Sequence, residues 1–191
     1  MEKTKSGFTI VELLIVIVVI GILAAITIVA FNGIQGRARD SQRVQDMNSI
    51  IKALEVYKIQ NGNYPAAVGT PNAGGWEVST NGTTATTFLN ALKTSGTVSS
   101  IPVDPRNTAD TSIVNGLDPM SSSEKWLYFY YRYAAGTSGC DASRGDFYIL
   151  GVAQMDGVAA DQSAPNSPGF SCPSRSWNGA VGAYVTGAFT N

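Results

Sequence analysis

Histidine is absent from this 191-residue chain, which removes Ser-His catalytic triads and His-ligated zinc sites from consideration. Cysteine is scarce: Cys140 and Cys172 are too few for a zinc cluster and enough for one disulfide. Charge is scarce too, at 14% of residues, and nearly balanced, with 13 Lys and Arg against 14 Asp and Glu. A net charge of −1 excludes a broadly basic nucleic-acid binder. There is no phosphate-cradling glycine loop and no nucleophile motif, so nothing points to an enzyme. The length favours a single globular domain.

The apolar residues are concentrated at one end. Leu13 to Phe31 reads LLIVIVVIGILAAITIVAF, uncharged, with Thr27 its one hydroxyl. As a helix this run rises about 28 Å, close to the hydrocarbon thickness of a bilayer. Lys3 and Lys5 precede it, and a positive flank stays in the cytoplasm, which places the C-terminal bulk outside. A secretory signal peptide has an apolar core of roughly 7–15 residues ending in a small-x-small site. This run is longer and has no such break, so it reads as a retained span. Glu12 is the anomaly, because an acid at membrane depth costs roughly 2.5–3.5 kcal/mol. Either headgroups solvate it, or a cation meets it when the helix packs among others.

The string Gly7-Phe8-Thr9-Ile10-Val11-Glu12-Leu13 resembles the processing motif of type IV prepilins: a short basic leader, glycine, phenylalanine, an acid four residues on, then an apolar helix. The resemblance implies that a membrane-embedded prepilin peptidase cuts between Gly7 and Phe8 and methylates Phe8, leaving 184 residues. Cleavage creates an α-amino cation at Phe8, with an ordinary pKa of about 8. In a helical stack, Glu12 of one subunit then meets the Phe8 amine of another, which sets axial register as well as adding attraction. Gly21 stands where many family members have a helix glycine, and glycine weakens a helix by about 1 kcal/mol relative to alanine. It reads either as a point of unwinding on leaving the bilayer or as a site of close helix packing. The proline that many members carry further on is replaced here by Ile26-Thr27-Ile28-Val29-Ala30.

Beyond the membrane the helical period continues. Ile34, Ala38, Val44, Met47, Ile51, Leu54 and Tyr57 recur at spacings of three, four or their multiples. Arg37, Asp40, Arg43, Asp46, Lys52, Glu55 and Lys58 are expected on the other, solvated face, paired three apart. Asn61-Gly62-Asn63-Tyr64-Pro65 ends the helix. The segments Ala38–Arg43, Ala53–Tyr57 and Asn61–Pro65 resemble the same region of pilins and major pseudopilins, so the likeness covers about the first 65 residues. The expected organisation is a leader at 1–7, a transmembrane and filament-core helix at 8–31, an amphipathic half at 32–64 and a globular head at 65–191.

In the head, 66–87 reads as a loop with Trp76 and Val78 as anchors, leading to a short helix around 84–94 with Phe88, Leu89 and Leu92 inward and Gly96 as its stop. Asn81-Gly82-Thr83 matches a glycosylation sequon and reads as ordinary loop. Strands are expected at 125–133, 147–153 and, more weakly, 183–186. Antiparallel strands laid on an amphipathic helix make an α+β fold: a long N-terminal α-helix packed on a small antiparallel β-sheet head. The tyrosines read as core on one sheet face and ordinary surface on the other, in preference to a stacking platform for nucleic acid or sugars.

A Cys140–Cys172 disulfide would stabilise by roughly 3–4 kcal/mol in the chain-entropy model, against the alternative of two buried thiols. Extracellular placement favours the bridge, and pilins often carry such a C-terminal loop. Asp104, Asp110, Asp118, Asp141, Asp146, Asp156 and Asp161 raise calcium as a cofactor, as the resemblance to major pseudopilins does, but their spacing is not that of an EF-hand. Aspartates in loops are more commonly turn formers, and no cofactor is the primary expectation. DNA contact through Lys93, Arg106, Arg132, Arg144 and Arg175 is weakly supported, since these are scattered.

The resemblance implies a non-enzymatic structural subunit that is stored in the membrane, processed and polymerised into a homo-oligomeric extracellular filament. Its partners would be the peptidase, an inner-membrane platform protein and assembly ATPases. A sizeable head with a disulfide loop favours a pilin serving motility, adhesion or DNA uptake. The alternatives are a pseudopilin of type II secretion or competence, and a permanently anchored extracellular binding domain.

Overall fold

The computed structural model describes residues 9–68, 75–79, 88–109, 125–159, 162–179 and 181–191. The chain divides into two compact units, residues 1–38 and 39–191. The α1 helix, Ile10–Asn61, begins in the first and ends in the second. Among the described residues it is the helix long and apolar enough to cross a membrane. In the first unit the large apolar side chains of residues 10–28, and those of Phe31 and Ile34, are exposed.

The second unit is α+β, as expected. Its sheet has the order β1-β4-β5-β8, all antiparallel, from Glu77–Val78 (β1), Tyr128–Tyr133 (β4), Phe147–Val152 (β5) and Tyr184–Phe189 (β8). Tyr130 sits opposite Leu150, and Leu150 opposite Thr186. Thr108–Ala109 (β2) pairs with Lys125–Trp126 (β3), and Ser171–Cys172 (β6) with Arg175–Ser176 (β7). The expected 125–133 strand is thus split at Leu127, with its first two residues paired to a different partner. The weak third strand proves as long as the others, because β8 runs beside all six residues of β5. The short helix α2 covers only Asn90–Thr94, with Phe88, Leu89 and Leu92 buried; residues 84–87 lie outside the described set.

Side chains alternate across a strand, so β4 and β5 feed two cores. On one face Tyr128, Tyr130, Tyr148, Leu150 and Val152 pack with Met47, Ile50, Leu54 and Tyr64. On the other, Phe129, Phe147, Ile149 and Val185 pack with Trp76, Val78, Trp177 and Val181. This corrects the expectation that one sheet face is ordinary surface. The C-terminal segment covers it, and all six residues of β5 are buried. Tyr128, Tyr130 and Tyr148 are buried, and the half-buried Tyr133 stacks on Phe147 at 5.1 Å, so these rings are taken up by the protein's own packing.

The disulfide forms between Cys140 and Cys172, with Cα atoms 5.0 Å apart, tying the loop before β5 to the β6–β7 hairpin. Gly151 sits where the second core leaves no room: a β-carbon there would clash with the Phe129 ring and the Tyr184 carbonyl. Gly151→Ala is therefore expected to cost about 1–3 kcal/mol as overpacking. Thermal unfolding of the variant beside the parent chain checks this, and an unchanged midpoint would show that the core yields at that point.

Buried Glu77 is a further organiser that sequence reading passed over. Its carboxylate accepts the backbone N–H groups of Val68 (2.8 Å) and Leu89 (2.7 Å), linking two loop ends. Burial raises its carboxyl above the usual range, although both hydrogen bonds oppose the shift.

Candidate functional site: the N-terminal segment and the helix anchor

The chain enters α1 through a capping box. Thr9 Oγ1 accepts the Glu12 N–H (3.2 Å), and Glu12 Oε2 accepts both the Thr9 N–H and its hydroxyl, each at 2.8 Å. The pattern Thr-x-x-Glu before an apolar run favours this arrangement, because the first backbone N–H groups of a helix have no partner inside it. Glu12 therefore already has a role within a single chain, and it remains on the exposed surface of the helix start. Gly7 and Phe8, the residues read as the processing site, lie outside the described residues. Gly21 lies within the unbroken helix, with open space where a β-carbon would stand.

The charged face expected on the second half of α1 needs correction. Arg43 is wholly buried, at 0% exposure. Its Nε and Nη2 donate to the two carboxylate oxygens of Asp104 (2.7 and 3.1 Å), and its Nη1 donates to Asp40 and Asp156 (both 2.7 Å). Arg39 and Arg106 also donate to Asp156, and the guanidinium groups of Arg43 and Arg106 lie over the Trp126 ring. Three arginines thus face three aspartates, and the cluster is electrically balanced. Asp40 in turn accepts the N–H groups of Asp156 and Gly157 (2.9 and 2.8 Å). Asp46 is half-buried and accepts the Tyr128 hydroxyl (2.7 Å), while Glu55 accepts that of Tyr64 (2.7 Å).

A usable signal was present. Arg43, Met47, Ile50 and Leu54 stand 4, 3 and 4 residues apart, the spacing of one helix face, so the period itself puts Arg43 inside. The buried positions of this stretch are Met47, Ile50, Ala53 and Leu54; Val44, Ile51 and Tyr57 are half-buried beside them, and Ile34 and Ala38 are exposed.

Of the aspartates raised for calcium, Asp104 and Asp156 come together, but around the Arg43 guanidinium. No group of three or more candidate ligands occurs among the described residues. Asp104 and Asp156 are taken up by arginine, and Asp146 accepts from Asn63 and Ala135 and pairs with Arg132. Asp141 caps a 3₁₀ turn through Ser143, while Asp110, Asp118 and Asp161 lie outside the described residues, as does the sequon. The basic residues raised for DNA are separately engaged. Arg106 pairs with Asp156 and Arg132 with Asp146; Arg144 and Arg175 stack over Phe189 and Trp177. Lys93 ends α2.

Comparison with known proteins agrees with the local geometry. A family model described as the prokaryotic N-terminal methylation motif matches residues 3–28. The chain is 30% identical over 104 residues to the type II secretion system core protein G of Aeromonas hydrophila, covering 54% of this chain and 69% of that protein. It is 34% identical over 65 residues to the protein of the same name from Dickeya chrysanthemi, and 36% identical over 61 residues to that of Escherichia coli K12. Those two alignments cover 34% and 32% of this chain, and each covers 42% of the relative. No solved structure matches the chain significantly.

Proposed function

The chain belongs to the type IV pilin-like family, and from that premise we propose that it is the filament-forming pseudopilin of a type II secretion system. The expectation of a motility, adhesion or DNA-uptake pilus gives way to the alternative raised beside it, because the matched relatives are named for secretion. The observation that carries the filament-subunit part of this reading is the exposed apolar half of α1, opened by the Thr9–Glu12 cap directly after Gly7-Phe8.

In this reading the precursor waits in the membrane with its head on the side away from the cytoplasm. A prepilin peptidase cuts after Gly7 and methylates Phe8. The chain then leaves the bilayer for a stack of like helices, where the exposed apolar surface is buried against neighbours. The platform protein and cytoplasmic ATPases supply the work. The chain itself holds an apolar helix, an acid near its start and a packed head, and acts as a building block rather than an enzyme.

Two measurements test this. Mass spectrometry of the subunit taken from membranes is expected to find a chain starting at N-methyl-phenylalanine, residue 8; an intact Met1 rejects processing. Deleting the gene in its host is expected to retain normally secreted proteins inside the cell while leaving surface motility intact. The reverse pattern would return the protein to the motility pili.

A further inference from the structure

The outer edge of β8 is half covered. Val185 donates its N–H to Ser167 Oγ (2.9 Å), and its carbonyl accepts the Gly169 N–H (2.9 Å). Both groups point away from β5, since Thr186 and Tyr184 carry the inward bonds of the alternating antiparallel ladder. Gly169, at φ +71, then turns the covering segment away. The next residues spend their bonds elsewhere: Phe170 donates to Asn178 (2.8 Å) and accepts the Trp177 N–H (3.1 Å).

The ladder alternates every two residues, so Gly187 and Phe189 face outward like Val185. Thr190 confirms the phase by donating to the Asp146 carbonyl on the β5 side (2.8 Å). Among the described residues, no cross-strand or loop bond meets the N–H and C=O of Gly187 or the N–H of Phe189. These groups line a hollow of about 550 Å³ with Phe170, Ser171, Asn178 and Arg144. Arg144 is exposed, its guanidinium 3.7 Å from the centre of the Phe189 ring. It makes no ion pair among the described residues; Asp141, the acid it influences, is already bonded to the Ser143 N–H and hydroxyl.

From this geometry we infer that the open edge of β8 is a docking site for an extended, acid-bearing segment of a partner protein, which adds as a short strand beside Gly187–Phe189 and places its carboxylate on Arg144. Donor, acceptor and donor recur along about 7 Å of strand, a pattern another backbone matches residue for residue. The half-exposed Phe170 and Phe189 rings offer apolar contact beside it. The stacked arginine supplies the charge that selects an acid. An uncovered edge otherwise invites indiscriminate pairing, and here it is confined to a few residues. The inference does not depend on the secretion reading.

The test uses the full chain in detergent micelles, isotope-labelled for amide detection. Three peptides serve as probes: Ac-Val-Thr-Asp-Thr-NH2, the same peptide with lysine for aspartate, and the aspartate peptide with alternate amides N-methylated. The aspartate peptide is expected to slow hydrogen exchange at Gly187 and Phe189, and the N-methylated one to leave both unchanged. Arg144→Glu, at an exposed position, is expected to weaken the aspartate peptide about tenfold or more and to favour the lysine peptide, about 1.4 kcal/mol of charge selection. No protection at about 10 mM peptide overturns the proposal, as does equal binding of the N-methylated peptide. Competition by acetate as strong as by the peptide would reduce the site to an anion subsite and overturn it. Protection that grows with protein concentration alone would put a second copy there and overturn it too.

Discussion

Glu12→Val is expected to leave the chain cut after Gly7 and methylated, yet to lower the yield of assembled filament by about a hundredfold or more. Glu12 sits at the mouth of a helix whose apolar flank is exposed in the single chain. In the proposed assembly that flank would be buried, and the cation offered to Glu12 would be the Phe8 amine that cleavage would make on a neighbour. Removing one partner of a buried pair costs about 3–5 kcal/mol, because the other charge is left unpaired in a low-dielectric core. The capping box complicates the outcome, since Val also removes the acceptor of the Thr9 N–H, worth about 0.5–2 kcal/mol. Glu12→Gln separates the two roles. Its amide oxygen still caps Thr9 but carries no charge. If pairing governs assembly, Gln fails as Val does; filaments restored by Gln would show that Glu12 acts through its own helix alone. Quantitative blotting of sheared filaments, with mass spectrometry of the N terminus, reads both steps.

The largest stability effect is expected at Arg43. Truncation to alanine leaves Asp104, with no side-chain exposure, without its bidentate partner and takes a bond from both Asp40 and Asp156. A loss of about 3–5 kcal/mol follows, which lowers the midpoint of thermal unfolding by about 6–20 °C for a domain of this size. Arg43→Met keeps much of the volume and should fare no better, since the cost lies in the orphaned carboxylate. Adding Asp104→Asn to Arg43→Met removes that charge and preserves an acceptor for the Arg106 N–H, 2.8 Å from Asp104 Oδ1. The double variant is expected to recover more than half the loss. A double variant no more stable than Arg43→Met would place the cost in packing against Trp126 instead.

The same cluster sets an acid limit. Burial alone would raise the Asp156 carboxyl, but hydrogen bonds from Arg39 and Arg43, with the charges of Arg43 and Arg106, outweigh it and hold the group down to about 2. A carboxyl depressed in the folded state contributes stability above its unfolded pKa of about 3.9 and loses it as pH falls through the folded value. The head should therefore weaken between about pH 5 and pH 2. That slope should flatten in Arg43→Ala, where Asp156 has one fewer cation to hold it ionised.

How far the chain could be read without coordinates differs from one end to the other. The apolar span, its Thr-x-x-Glu entry and its stop at Asn61 are carried by neighbouring residues, so they stood in the sequence in full. Segment 147–153 was legible too, because a dense apolar run flanked by turn residues specifies a strand locally. The strand at 125–133 was legible only in outline. Its break at Leu127 depends on β2 at Thr108–Ala109 and β1 at Glu77–Val78 competing for different parts of it. Glu77 and Asp104 had no local mark at all, being ordinary loop acids until distant chain closed over them.

Arg43 shows where the division lies. The sequence by itself determined that this residue stands on a helix; its 4-3-4 spacing from Met47, Ile50 and Leu54 marks the inner face, but its charge makes the solvated face the expectation instead. Composition and period are properties of nearby residues, and they sufficed for the membrane helix, the family and the α+β class. Only the tertiary structure decided that a guanidinium could be buried there, because its partners Asp104 and Asp156 lie 61 and 113 residues away. Burying that charge is tolerable solely when those carboxylates arrive with it. The second core behind the sheet and the open half of the β8 edge were likewise decided by where the distant C-terminal segment came to rest.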